Sequence, residues 1–326
     1  MCEVETKMLE RARALLESGE VARVIGWKKG DFYFDPAPAT FESAQDLNEF
    51  VYNGFCAANL SKYLIQASKK EGKTAVFIKP CDSYSLNQLL KEHRVDREKI
   101  HVIAIECLGK LDIEKIKATG VSSVVDASET ATEVTVTTLS GEQVTLAKAD
   151  VKLVKCSVCN KTHQIKDEEI ILHEREAVDV DRFDMVKKLE AMSEDERFAF
   201  WKDQLSKCIR CNACRNVCPA CSCVKCVFDN PASGVAAKAN DDTFEEQLFH
   251  IIRAFHVAGR CTDCGECSRV CPQNIPLHLL NRKFIKDIDT LYGEYQAGET
   301  AEGKTPLTSY TEGDVEAKDA VNGGAN

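Results

Sequence analysis

The sequence predicts an α/β protein: an open parallel-sheet domain at the N-terminus, then an all-α domain organised by cysteines. Three observations carry that reading. Apolar strands alternate with helices from about residue 74 to 125, led by the continuous run TAVFIKP (74–80), which suits a strand buried on both faces. Two matched cysteine runs occupy 208–271. Around those runs, from about 183 to 292, the apolar spacing is helical. The expected division is 1–180, 181–296 and a tail at 297–326 that lacks large apolar residues and reads as disordered.

In chain order, residues 6–18 place Met8, Leu9, Ala12, Leu15 and Leu16 on one helical face, and Gly19 stops the helix. Val21–Trp27 reads as a strand and Phe32–Phe34 as a second, short one. Helices are expected at 46–52 and 59–68. Strand 74–80, helix 83–92, strand 101–106, helix 112–118 and strand 121–125 complete the parallel pattern. Alternating Val and Thr around Ser140-Gly141 then give a β-hairpin at 133–146. Farther on, 183–205, 244–257 and 277–292 read as helices. The stripe expected on 244–257 is Leu248, Ile251, Ile252 and Phe255, with His250 and His256 as packed or surface residues.

The chain has 326 residues, of which 17 are cysteines, and a net charge of −10. That charge argues against a nucleic-acid partner. No run approaches the ~18 apolar residues of a membrane span. Glu3, Glu5, Glu10 and Glu17 interrupt any signal-like segment, so the expectation is a cytoplasmic protein whose thiols bind metal.

Cys208, Cys211, Cys214 and Cys218 precede Pro219; Cys261, Cys264, Cys267 and Cys271 precede Pro272. Both runs read C-x2-C-x2-C-x3-C-P. Two-residue gaps let three thiolates turn around one [4Fe–4S] cluster while the fourth reaches the neighbouring one. The expected sets are therefore Cys208, Cys211, Cys214 with Cys271, and Cys261, Cys264, Cys267 with Cys218. Zinc would ask for paired C-x2-4-C knuckles rather than matched quartets. The long helical insertion between the runs resembles the α-helical ferredoxin domain found in the iron–sulfur subunits of succinate dehydrogenase and of heterodisulfide reductase.

Four more cysteines form a second pattern. Cys81 and Cys107 each follow the C-terminal end of a predicted parallel strand, where open α/β sheets place their binding crevice. Cys156 and Cys159 add a C-x2-C pair, which alone would also suit a redox-active dithiol or half a zinc knuckle. With the two strand-end thiols to account for, the expectation is a third cubane site on the four. The block TAVFIKPCDSYSLNQLL, KIHVIAIECLGKLD and CSVC resembles the β subunits of deazaflavin-coenzyme-reducing hydrogenases and of related formate dehydrogenases, over roughly 20–175. The resemblance implies one [4Fe–4S] cluster on Cys81, Cys107, Cys156 and Cys159, beside an FAD. It departs from that family at the N-terminus, where the Gly-rich segment is missing: residues 1–20 hold a single Gly.

Cys221, Cys223 and Cys226 follow the first quartet closely. With Cys2 set aside as a terminal thiol, Cys56 completes a fourth set of four, against local zinc or unligated thiols as the plain alternative. Lys79 and Asp82, flanking Cys81, read as loop charges. No nucleotide-binding, metalloprotease or hydrolase motif is present. The expected function is an iron–sulfur electron-transfer subunit of a cytoplasmic oxidoreductase complex. Its partners would be subunits of hydrogenase, formate dehydrogenase or heterodisulfide reductase type, with a ferredoxin as a further candidate. The competing expectation is an FAD-containing subunit that exchanges hydride with a deazaflavin or nicotinamide coenzyme.

Overall fold

A computed structural model describes residues 3–160, 162, 165, 168–171, 180–230 and 243–305. The chain divides into two compact units, Met1–Val180 and Asp181–Asn326.

The first unit opens with helix α1 (Glu3–Glu17), which buries Met8, Ala12 and Leu15. Strand β1 (Arg23–Lys28) follows, then β2 (Ala37–Phe41) antiparallel to it. After the short α2 (Leu64–Ala67) come β3 (Thr74–Ile78), α3 (Pro80–Lys91), β4 (Ile100–Ile105) and α4 (Ile113–Ala118). Strands β3 and β4 are buried at every position, as their unbroken apolar sequences require. A separate antiparallel sheet holds β5 (Val124–Glu129), β6 (Glu133–Thr138) and β7 (Gln143–Ala147). Two four-residue helices, α5 (Lys148–Val151) and α6 (Val154–Ser157), then lead to β8 (Glu169–Ile171). The main sheet has the order β2-β1-β3-β4-β8, with all pairs parallel except β1 with β2. The fold is therefore α/β with an open, mostly parallel sheet. Gly26 of β1 lies under Phe50, where a Cβ would come within 2.7 Å of its ring.

Several expectations change. Phe32–Phe34 is a turn; the second strand is β2, an edge strand that tolerates Pro38 because edges leave one side unpaired. Residues 121–125 do not join the parallel sheet. Only Val124 and Val125 are in a strand, and β5 pairs antiparallel with β6. The expected helices at 46–52 and 59–68 shrink to 3-10 turns at Asp46–Glu49 and Leu60–Tyr63 plus α2.

The second unit is helical among its described residues. Helices α7 (Asp184–Glu190) and α8 (Glu194–Ser206) replace the single helix expected at 183–205. Ser193 and Glu196 form a reciprocal capping box that starts α8 afresh. Then follow α9 (Ala213–Asn216), α10 (Thr243–Val257), α11 (Glu266–Arg269) and α12 (Leu277–Tyr292). Residues 306–326, most of the tail expected to be disordered, lie outside the described residues, as does Cys2; within 297–305, Ala297 and Thr305 are buried.

Candidate metal centres

The two quartets share one backbone device. In the first, Arg210 (φ 52°) and Asn212 (φ 61°) flank the middle cysteine, Cys211; in the second, Asp263 (φ 57°) and Gly265 (φ 68°) flank Cys264. Left-handed residues on both sides of the central cysteine curl the loop so that its cysteines can converge. Each non-glycine residue held there costs roughly 1–2 kcal/mol. Asn212 and Gly265 then begin α9 and α11, which carry Cys214 and Cys267.

The thiols of the two quartets lie near one another. Cys214 has Cys271, Cys211 and Cys218 acting on it, Cys261 has Cys218 and Cys264, and Cys267 has Cys218 and Cys214. Cys218, Cys261, Cys264 and Cys267 line one hollow, together with Asp263, His278 and Asn281. Burial pushes the Cys208 and Cys267 thiols up to about 12, and Cys214 and Cys261 also rise. Cys218 moves the other way: contact with Cys221 outweighs burial, and Arg253 adds to the fall.

Helix α10 supplies the polar surroundings, through a face mostly other than the one its apolar spacing predicts. Of the expected stripe, Leu248, Ile251 and Phe255 are exposed and only Ile252 packs against the core, while Glu246, Phe249, His250, Arg253 and Val257 are buried. His250 Nε2 lies 3.2 Å from Cys208 Sγ, and burial, then Arg253 and Arg210, lowers its pKa to about 3. Glu246 pairs with Arg210 at 3.5 Å, and the Arg210 guanidinium lies 4.1 Å from the Phe249 ring centroid. The sequence held a signal for this face: Glu246, His250 and Arg253 fall at i, i+4 and i+7. From α12, Arg282 clamps Asp263 at 3.0 Å, and Asn281 Nδ2 lies 3.7 Å from Cys267 Sγ.

In the first unit the strand ends assemble a third group of thiols. Cys81 sits in the first turn of α3 behind Pro80, and Cys107 just beyond β4. The segment entering α6 is pinned to the loop that follows β4 and Cys107, by the Leu111–Lys152 bridge and by the Leu153 amide donating to Lys110 O at 2.9 Å. The Lys110 amide also donates to Cys156 Sγ at 3.3 Å. Burial raises Cys156 to about 11, with Cys107 and Cys159 adding to the rise. Cys81 rises too, through burial and Asp82, with Cys159 a smaller contributor. Lys79 and Asp82 are not loop charges. They form a fully buried pair at 2.6 Å; Lys79 Nζ also donates to Ala58 O and stands 4.5 Å from the Trp27 ring centroid.

The remaining cysteines differ in setting. Cys56 belongs to the first unit and is wholly buried in its core. The Asn53 amide donates to its sulfur at 3.3 Å, and burial raises the thiol to about 11. In the second unit, Cys221 meets Cys218, Cys226 acts on Arg215, and Cys223 is exposed.

Soft donors fit iron–sulfur chemistry, and thiols that raise one another's pKa gain from a shared cation. Buried polar atoms also stand around the quartets without a hydrogen-bond partner among the described residues: His250 Nδ1, Arg253 Nε and Asn281 Oδ1. The residues therefore suit the clusters.

Comparison with known proteins agrees. Residues 204–275 match the 4Fe-4S dicluster domain family. The chain is 23% identical over 335 residues to the F420-dependent formate dehydrogenase subunit beta of Methanocaldococcus jannaschii, covering 85% of this chain and 88% of that one. It is 24% identical over 275 residues to the F420-dependent formate dehydrogenase 1 subunit beta of Methanococcus maripaludis, covering 66% and 71%. A putative ferredoxin-3 of Sinorhizobium fredii is 36% identical over 79 residues, 24% of this chain and 75% of that one. Among solved structures, a chain of the F420-reducing [NiFe] hydrogenase complex from Methanosarcina barkeri is matched at 14% identity with a TM-score of 0.38, covering 63% of this chain and 90% of that one. The resemblance to formate dehydrogenase β subunits stands on the two methanogen relatives. Among the described residues no helix is long and apolar enough to cross a membrane.

Proposed function

We propose, for a chain related to formate dehydrogenase β subunits and carrying a 4Fe-4S dicluster domain, an iron–sulfur electron-transfer role within an oxidoreductase complex. The observation that carries this reading is two matched quartets in one unit, within the 4Fe-4S dicluster match at 204–275, and four further thiols in the other. Of those four, Cys81 and Cys107 lie past strand ends and Cys156 and Cys159 at the α6 turn. Clusters, when bound, supply one-electron redox capacity at fixed positions. The chain's residues hold and surround them.

The assignment puts one [4Fe–4S] cluster on Cys208, Cys211, Cys214 and Cys271, and a second on Cys261, Cys264, Cys267 and Cys218. A third rests on Cys81, Cys107, Cys156 and Cys159. The two formate dehydrogenase relatives favour a catalytic partner of that type, with coenzyme F420 at one end of the electron path. A cytoplasmic setting accompanies this reading.

A fourth set, Cys56 with Cys221, Cys223 and Cys226, would draw on both units. The buried Cys56 thiol and its contact with Asn53 favour a packed cysteine. Iron, acid-labile sulfide and flavin measured on one anaerobic preparation decide. Three clusters give about twelve irons per chain, and Cys56→Ala then leaves the count unchanged. A count of about sixteen, falling by about four in Cys56→Ala, establishes the fourth set. A stoichiometric flavin would move the reading to the FAD-containing alternative.

A further inference from the structure

The second unit buries a cation that ligand assignment leaves unused. Arg253, on the inward face of α10, is 4% exposed. Its Nη2 donates to Cys214 O at 3.1 Å, and its Nε meets no hydrogen-bond partner among the described residues. The neighbouring buried carboxylates are engaged elsewhere, Glu246 with Arg210 and Asp263 with Arg282. No ion pair to Arg253 occurs among the described residues. One turn to either side on α10, Phe249 packs with Cys214 and Cys267, and Val257 packs with Cys218 and Cys261. Burial opposes the Arg253 charge, and the thiols of Cys218, Cys267, Cys221 and Cys214 favour it.

An unpaired buried charge is strongly destabilising, so its retention calls for a counter-charge. Iron–sulfur clusters held by four thiolates are net anions, and each gains a further negative charge on one-electron reduction. Cys214 belongs to one proposed set; Cys218 and Cys267 belong to the other. We infer that Arg253 is a counter-cation shared by the two dicluster sites, favouring the reduced form of both and so raising both reduction potentials. It acts on the clusters through charge and binds no iron itself. This rests on the two-cluster reading above.

Test it by EPR-monitored redox titration of the anaerobically purified full chain, with dithionite as one-electron donor and mediator dyes. Arg253→Gln should retain its iron while the reduction equilibrium of both dicluster centres falls at least tenfold, which is 59 mV for a one-electron couple. Arg253→Lys, which keeps the charge, should recover most of that shift. If Arg253→Gln keeps its iron and either centre stays at its wild-type potential, the inference is overturned. If Arg253→Gln loses iron, Arg253→Lys decides: iron and both potentials retained support the counter-cation. Loss of iron in that variant too would reduce Arg253 to a contact on Cys214 O, overturning the inference. Absence of two such centres from the wild-type protein would instead sink the two-cluster reading.

Discussion

At the scale of single residues, the cysteines were legible because their spacing is their chemistry: C-x2-C-x2-C-x3-C-P states a ligand loop before any fold is known. Their partners were not. Lys79 and Asp82 look like loop charges in KPCDS, yet they form a buried ion pair under Trp27. Nothing local in a sequence reports that a crossing element will cover a charge. Once the pair is covered, its parts depend on each other. Lys79→Met should destabilise the first unit by about 3–5 kcal/mol, because Asp82 is left as a buried uncompensated charge. Replacing both, Lys79→Met with Asp82→Leu, should restore most of the loss. Urea unfolding midpoints of the three proteins measure this, and equal losses in the single and double variants would refute it.

Elements were legible where one periodicity served one purpose. β3 and β4 are continuous apolar runs and are buried at every position. Helix α10 misled because three of the four residues of its apolar stripe point outward, while Glu246, His250 and Arg253 turn toward the cysteines beside Phe249 and Val257. A polar cofactor site reverses the usual rule for an amphipathic helix. Strand β8 was missed because three residues give no period to read. Side chains hold it as well: Glu169 accepts from Nε and Nη2 of Arg11 on α1 at 2.5 Å, and lies 2.6 Å from His101 Nε2 on β4, whose Nδ1 is 3.5 Å from Glu20. Arg11 is the main cause that lowers the Glu169 carboxyl below 4.5; burial opposes it, and His101 adds to the lowering. A depressed carboxylate stabilises the fold above its unfolded value and stops doing so as pH falls through the folded one. Wild-type protein should therefore lose more stability between roughly pH 6 and pH 3 than Glu169→Gln does. Parallel pH profiles of the two proteins would disprove the latch.

For the whole molecule, the division into two units follows from two kinds of core. The first unit packs a large aliphatic and aromatic cluster running from Met8 to Ile171. The second packs smaller ones, the largest of which counts Cys214 and Cys267 among its buried members, with Cys208, Cys226 and Cys271 beside them. Thiols that would carry metal are here part of the packing, so metal and fold are linked. Removing iron with a chelator under oxidising conditions should abolish cooperative unfolding of the second unit and leave that of the first. Differential scanning calorimetry would then show the first unit's transition remaining, with loss of its own proposed cluster changing its midpoint only; persistence of the second unit's transition contradicts the linkage.

The crossing of Cys218 and Cys271 proposed between the two quartets also implies an order of manufacture. Translation delivers Cys208, Cys211 and Cys214 first, but in the proposed arrangement their fourth partner is the last ligand made. The other set is complete four residues sooner, when Cys267 appears. A nascent chain halted anywhere before that point can close neither of these two sites, so cluster-delivery machinery finds no finished destination in the helical unit until the chain has reached α11. The loop that is synthesised first is finished last.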